Sequence, residues 1–131
     1  MNLAAYLDSS ALVKTVRDEV ETDALKTFLG DIPAPSTSVL SRVEVRRASL
    51  RDGIYDAEPI DELFESLNCM PLTPDVIQRA SRLGPPSLKS LDAIHLSTAL
   101  ELFTINPVFV SYDKRLLKAA ENIGFRTASP A

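Results

Sequence analysis

The chain begins with a short apolar run that ends at a carboxylate, and this run constrains the fold more than any other segment. Residues 3–7 read Leu-Ala-Ala-Tyr-Leu, and Asp8 follows directly. An unbroken apolar run of this length is typical of a strand buried on both faces, as in a parallel sheet. The carboxyl end of such a strand borders the crevice where open α/β sheets bind ligands. We therefore expect Asp8 at that crevice, and capping of the next helix is the alternative interpretation.

The rest of the chain alternates between short strand patterns and longer helical patterns. Strands are predicted over 3–7, 69–72, 108–111 and 125–128, and residues 31–38 have room for only a short one. Helices are predicted over 10–16, 19–29, 39–51, 91–103 and 113–123, with two more beginning at Pro59 and at Thr73-Pro74-Asp75. This alternation indicates an α/β fold in which helices cover both faces of a mainly parallel sheet.

Apolar spacing also predicts which side of each helix is buried. In the helix over 19–29, Val20 is expected to join the buried side. In the helix over 39–51, the predicted stripe consists of Val39, Val43, Leu50 and Ile54. In the helix that starts after Thr73, the predicted buried side consists of Val76, Ile77, Ala80 and Leu83.

Length, charge and cysteine content limit the classes of protein that the chain represents. Its 131 residues are the size of one domain, predicted over 1–131. One cysteine, Cys69, excludes an internal disulfide and a cysteine-based metal site, which fits a cytoplasmic location. No signal peptide or membrane-length apolar run is present, so no membrane association is expected. A net charge of −4 is unfavourable for binding a polyanion unless a metal or a local basic patch offsets it.

Four acids stand at the ends of predicted elements or beside apolar helix positions: Asp8, Glu44, Asp92 and Asp113. Each has a local explanation, because Glu44 lies three residues after Ser41 in capping-box spacing and the three aspartates suit helix starts. Their shared placement indicates a common site. Asp8 and Asp113 both follow predicted strands, and the carboxyl ends of parallel strands lie at the same edge of a sheet. Carboxylates near burial are costly unless they are paired or bind a cation. Hard cations such as Mg²⁺ or Mn²⁺ take oxygen ligands of this kind.

Other polar residues lie close to these acids in sequence. Ser10 and Ser111 each lie two residues from an acid and are expected to support the site, with ordinary capping as the alternative. Arg47 and Arg51 follow Glu44 on the same helix and are candidates for phosphate contact, with a solvated charged face as the alternative. The only histidine, His95, is expected to hydrogen-bond an acid or to pack in the core, since a metal that activates water removes the need for a histidine base.

Four segments together resemble the PIN-domain family, and within it the VapC-like toxins of toxin–antitoxin pairs. In chain order they are Tyr-Leu-Asp-Ser-Ser-Ala-Leu-Val-Lys at 6–14, Ser-Arg-Val-Glu at 41–44, Leu-Asp-Ala-Ile-His-Leu-Ser-Thr-Ala at 91–99, and Val-Ser-Tyr-Asp-Lys-Arg-Leu at 110–116. The resemblance spans nearly the whole chain and keeps the order of the family's motifs. It implies a three-layer α/β/α fold and a Mg²⁺- or Mn²⁺-dependent endoribonuclease that cleaves RNA.

The same resemblance assigns roles to the acids. Asp8, Glu44, Asp92 and Asp113 match the catalytic quartet, with Asp8 and Asp92 expected as direct metal ligands. Asp113 is expected to act on the metal through a water, and Glu44 to be a ligand or to position the attacking water. The resemblance also implies a homodimer and inhibition by a small antitoxin protein.

Other functions remain open at this point. A phosphatase of the haloacid type also places an aspartate after its first strand, but it needs a second one where Ser10 stands. A phospho-acceptor receiver domain needs an aspartate after a middle strand and a lysine after a later one, and neither is evident. A non-catalytic module that only binds a partner protein is the alternative from a different class. Metal binding together with metal-dependent RNA cleavage separates the enzyme from that module.

Overall fold

A computed structural model describes residues 3–131, and the centre of the molecule is a sheet of five parallel strands. The strands are β1 (Ala5–Leu7), β2 (Ser36–Ser38), β3 (Asn68–Met70), β4 (Val108–Val110) and β5 (Arg126–Ala128). Their order across the sheet is β3-β2-β1-β4-β5, so the first strand lies in the middle, as its apolar run predicts. The first two positions of the predicted domain over 1–131 lie outside the described residues.

Helices connect these strands in the predicted alternation. They are α1 (Ser9–Val16), α2 (Thr22–Leu29), α3 (Leu40–Arg51), α4 (Glu58–Glu65), α5 (Pro74–Ala80), α6 (Ser90–Leu100) and α7 (Lys114–Ile123). The helix predicted over 91–103 ends earlier, and a short 3₁₀ turn over Phe103–Ile105 follows it. Within residues 3–131, no helix has the length and apolar character that crossing a membrane requires.

Side chains of alternate residues in the central strands pack into two separate hydrophobic cores, one on each face of the sheet. Ala5 and Leu7 of β1 point into one core, which also receives side chains from α1, α2, α3 and α4. Tyr6 points into the other core and packs with Phe109 of β4 and with side chains of α6 and α7. Helices therefore cover both faces of the sheet, and the three-layer α/β/α fold is confirmed.

The strand β2 is built from hydroxyl residues rather than from apolar ones, and all three are buried. The Thr37 hydroxyl donates to the backbone carbonyl of Leu7 at 2.7 Å, and the Ser41 hydroxyl lies 2.7 Å from the Thr37 hydroxyl. Buried hydroxyls are tolerated when they have hydrogen-bond partners. These hydrogen bonds explain why no apolar pattern marks this strand within 31–38.

The predicted buried stripe of α3 is wrong. Val43 is 60% exposed, and Val39 and Ile54 are exposed as well. The helix instead buries the face formed by Ser41, Val45 and Ser49. Ser41 turns inward because it bonds to Thr37, so it does not form the capping box with Glu44 that its spacing suggested. Small side chains on this face let the helix approach the polar strand β2 closely.

Two other predicted core positions are also exposed. Val20 is 96% exposed, because the turn that precedes α2 delays the start of that helix until Thr22. The Thr22 hydroxyl organises this turn by accepting from the backbone N–H of Glu19 and lying within bonding distance of two carbonyls. Ile77 of α5 is exposed, whereas Val76 and Ala80 are buried.

Replacing Thr37 with valine is expected to destabilise the fold by about 1–3 kcal/mol, because the Leu7 carbonyl and the Ser41 hydroxyl lose a buried partner. Thr27→Val is the matched control, since Thr27 is an exposed residue of α2 and the exchange again replaces a hydroxyl by a methyl group. Urea unfolding monitored by circular dichroism measures both free energies. Equal stabilities for the two variants would contradict a structural role for the Thr37 hydroxyl.

Candidate active site

Asp8 occupies the carboxyl end of the central strand and is 3% exposed. Its Oδ1 accepts from the Ser10 hydroxyl at 2.7 Å and from the backbone N–H of Ala11 at 3.1 Å, and its Oδ2 accepts from the Ser111 hydroxyl at 2.7 Å. Burial raises the pKa of Asp8, although the two hydroxyls favour the ionised form. Asp8 therefore caps α1 and also lies at the crevice, so the two interpretations of this residue are compatible.

Asp113 holds the equivalent position after β4 and caps α7. Its Oδ1 accepts from the backbone N–H groups of Arg115 and Leu116 at 2.9 and 3.2 Å. The Ser111 hydroxyl links this turn to the central strand, because it accepts from the backbone N–H of Asp113 at 3.0 Å while it donates to Asp8. The structure thus places Ser10 and Ser111 on the two oxygens of the Asp8 carboxylate.

Asp92 lies in the first turn of α6 and is half-buried. Burial raises the pKa of its carboxyl group, and the negative charges of Asp113 and Asp8 raise it further. Glu44 of α3 adds a smaller effect in the same direction. The four predicted acids therefore lie close enough to repel one another, and the edge of the sheet concentrates negative charge.

Glu44 reaches the same region from α3 and is held by His95. The Nε2 atom of His95 lies 2.6 Å from the Glu44 Oε1 atom, and the Nδ1 atom lies 2.8 Å from the Tyr6 hydroxyl. Both sequence interpretations of His95 hold, because the residue is buried in the core and also bonds to an acid. Its ring is closed off from the surface, so it is not placed to contact a substrate.

The oxygen-only donor set fits a hard divalent cation such as Mg²⁺ or Mn²⁺. Asp8 presents an oriented carboxylate, and a cation would relieve the repulsion that raises the pKa of Asp92. Among residues 3–131, however, no three acidic, histidine or cysteine side chains lie close enough to form a ready-made metal site.

An open cavity of about 500 Å³ begins at Asp92 and Asp113 and continues between the 85–89 loop and α7. Four cationic side chains line it and are exposed: Lys89, Lys114, Arg115 and Lys118. We call these four residues the basic rim. The arrangement offers an anionic ligand positive charge immediately beside the acids.

Arg47 and Arg51 lie on the other side of the acids. They line a separate groove of about 510 Å³ together with Ser10, Glu44 and Leu91. Both arginines are exposed on successive turns of α3. The structure therefore places them beside the acidic region but outside the cavity at Asp92 and Asp113.

Sequence reasoning missed the basic rim and the link between Tyr6, His95 and Glu44. The sequence contains a signal for the rim, because Lys114 and Lys118 lie four residues apart on the helix after Asp113, just as Arg47 and Arg51 lie four residues apart after Glu44. The Tyr6–His95 contact joins residues 89 positions apart and had no local signal.

Comparison with known proteins gives concordant matches. The family profile described as PIN domain matches residues 5–122. Ribonuclease VapC47 of Mycobacterium tuberculosis is 42% identical over 130 residues, which cover 95% of this chain and 96% of that protein.

Solved structures share the fold at lower identity. A toxin–antitoxin complex from Klebsiella pneumoniae contains a chain that superposes with a TM-score of 0.73 at 17% identity, covering 97% of this chain and 98% of that one. VapC20 of Mycobacterium tuberculosis, a toxin that cleaves the sarcin–ricin loop, superposes with a TM-score of 0.71 at 16% identity, covering 96% and 99% of the two chains.

Because the pKa of Asp92 is raised in the folded protein, the folded state binds the proton of this carboxyl group more tightly than the unfolded chain does. The contribution of Asp92 to the free energy of unfolding is therefore favourable at low pH and is lost as the pH rises through the folded-state pKa. We expect Asp92→Asn to raise the melting temperature at pH 7 and to lose this advantage in acid. Melting curves between pH 4 and pH 8 measure the difference.

Asp75→Asn is the matched control, because Asp75 is an exposed acid in the first turn of α5. Its replacement is expected to leave the melting temperature unchanged or slightly lower, since it removes a favourable interaction with the helix dipole. Parallel behaviour of the two variants across the pH range would contradict charge repulsion at Asp92.

Proposed function

This chain belongs to the PIN-domain family, and we propose that it is the divalent-metal-dependent endoribonuclease of a toxin–antitoxin pair. The observation that carries the proposal is the buried and oriented carboxylate of Asp8, placed beside the half-buried Asp92 at the carboxyl edge of the sheet. The ribonuclease name of its relative, at 42% identity over nearly the full length of both chains, supports the same activity.

The proposed metal ligands are Asp8 and Asp92, with Asp113 acting through a water. When bound, the cation would activate a water for attack on phosphorus and offset charge on the phosphate and the leaving oxygen. Asp8 suits the ligand role because Ser10 and Ser111 orient both of its oxygens. Glu44 enters from α3 and is placed to orient the attacking water.

Binding of the RNA strand falls to the basic residues on the two sides of the acids. The basic rim supplies four positive charges next to Asp92 and Asp113, and Arg47 and Arg51 supply two more beside Glu44. Phosphates bound at these positions would lie within reach of the acids. The local positive charge offsets the net charge of −4, which otherwise disfavours a polyanionic substrate.

Ser10 argues against a phosphatase of the haloacid type. Such an enzyme needs a second carboxylate at this position, whereas the Ser10 hydroxyl donates to Asp8 and supports that single acid. A purely partner-binding module has no need of a buried carboxylate held by two hydroxyls, which is costly to bury.

The proposal includes a small antitoxin that blocks the acids with a basic side chain. A guanidinium group binds carboxylates through two parallel hydrogen bonds, and the four acids offer it several acceptors. The toxin–antitoxin complex with the same fold supports such a partner. A homodimer and a cytoplasmic location, where RNA is available, belong to the same proposal.

RNA cleavage is expected to require Mg²⁺ or Mn²⁺, to stop on chelation and to return when the metal is restored. Asp8→Asn and Asp92→Asn are each expected to lower the cleavage rate by about a hundredfold or more, as for removal of a group that acts at the reaction centre. Gel analysis of labelled single-stranded RNA measures the rates.

Asp75→Asn serves again as the control and is expected to cleave RNA at the wild-type rate, because Asp75 lies outside the acidic region. Full activity of Asp8→Asn with an intact circular dichroism spectrum would overturn the proposed active site. Cleavage that persists in excess chelator would overturn the metal requirement.

The basic rim is expected to bind phosphates, so Lys114→Gln combined with Lys118→Gln weakens RNA binding and its salt dependence. Each lost contact lowers the slope of log K against log salt by about 0.7 for a single strand. Fluorescence anisotropy in the Asp8→Asn background measures binding without cleavage. Lys26→Gln, on the opposite face of the sheet, is the control, and equal slopes for the two proteins would place RNA elsewhere.

A further inference from the structure

A buried chain of three polar side chains connects the central strand to the acidic region. Tyr6 lies on β1, two residues before Asp8, and is fully buried. Its hydroxyl is 2.8 Å from the Nδ1 atom of His95, and the Nε2 atom of His95 is 2.6 Å from the Oε1 atom of Glu44. His95 is 1% exposed, whereas the Glu44 side chain reaches the surface groove beside Ser10.

The partners of His95 determine where its proton lies. A carboxylate only accepts hydrogen bonds, so the Nε2 atom carries the proton that is donated to Glu44. The Tyr6 hydroxyl can both donate and accept, so it satisfies Nδ1 whether or not that atom is protonated. The contact with Glu44 therefore requires a proton on Nε2, and the contact with Tyr6 fixes the orientation of the ring.

Glu44 needs such a partner to stay in place. Its long side chain loses rotamer freedom when it is held at one position, and an exposed glutamate otherwise favours solvent over a region that already contains three negative charges. A hydrogen bond from a rigid, buried ring opposes both tendencies. His95 can supply it because its ring is buried on α6 and its other nitrogen is bonded to Tyr6 of β1.

We propose that His95 is a positioning residue that, oriented by its contact with Tyr6, holds the Glu44 carboxylate at the acidic site. The inference rests on the proposed function, in which Glu44 orients the attacking water. His95 does not touch the substrate, because its ring is buried. The alternative is that His95 only fills space in the core, and the two roles predict different behaviour for closely related variants.

Two amide replacements separate these roles. The terminal amide of His95→Gln can take the place of Nε2 and still donate to Glu44, whereas His95→Asn is shorter and can reach only the place of Nδ1. We expect His95→Asn to lower kcat for RNA cleavage by about tenfold to a hundredfold, the range for losing a hydrogen bond to a charged group. We expect His95→Gln to stay within about threefold of wild type, since the donor is retained.

The KM for RNA is expected to change little in either variant, because His95 lies away from the surface. Melting temperatures report how far each variant disturbs the core. Equal loss of kcat in the two variants, or a kcat that follows melting temperature alone, would show that His95 has only a packing role.

A second variant pair tests whether the effect passes through Glu44. In the Glu44→Gln background, His95→Asn is expected to cause no further loss of kcat, since the positioned carboxylate is already gone. If the two substitutions instead lowered kcat by independent factors that multiply in the double variant, His95 would act by a route other than Glu44. That result would overturn the proposal.

Nitrogen-15 NMR of the imidazole ring decides the proton position without any need for activity. We expect the wild-type protein to show a protonated Nε2 for its single histidine. Protonation on Nδ1 alone would overturn the proposal, whatever the protein cleaves. A protein that has the expected proton on Nε2 but cleaves no RNA would contradict the proposed function instead, and would leave the hydrogen bond to Glu44 standing.

Discussion

The structure depends on one buried carboxylate and on the hydroxyls that surround it. Burying an ionised aspartate is costly unless hydrogen bonds replace the lost water, and Asp8 receives them from both ends of the chain. Ser10 comes from the helix that follows the strand, and Ser111 comes from the neighbouring strand a hundred and one positions later. These bonds connect β1, α1 and the turn before α7 at one point, and they orient the carboxylate toward the crevice.

The acids and cations around this point are arranged asymmetrically. Asp92 and Asp113 share their cavity with the four residues of the basic rim, whereas Glu44 shares its groove with two arginines. Burial, and then repulsion from Asp113 and Asp8, raises the pKa of Asp92, so its negative charge is unfavourable in the folded protein. A cation, a basic side chain from a partner, or a proton would each relieve it. The same carboxylates therefore serve the proposed catalysis and the proposed inhibition.

The sequence predicts the parts of this architecture that depend on local physics. The apolar run before Asp8 identifies the central strand, and the acids that begin α1 and α7 double as caps, so their positions follow from strand ends. Burial of hydroxyl groups was not predictable in this way. Ser-Thr-Ser in β2 and the Ser41 face of α3 have no apolar signal, because hydrogen bonds offset the burial of their hydroxyls. The orientation of Glu44 depends on His95 and Tyr6, which lie far from it in the sequence.

The pairing of β1 with β2 is shorter than the other strand pairings of the sheet. These strands share one register pair, Tyr6 with Ser36, whereas the other three pairings each contain three. A seam thus runs down the sheet, with Asp8 and Asp113 attached to the three-strand side and Glu44 carried on α3 after β2. The Thr37 hydroxyl crosses this seam inside the sheet, where it donates to the Leu7 carbonyl of β1. Small sliding at the seam would change the separation of Glu44 from Asp8 and Asp113, and the bond from Thr37 opposes that sliding.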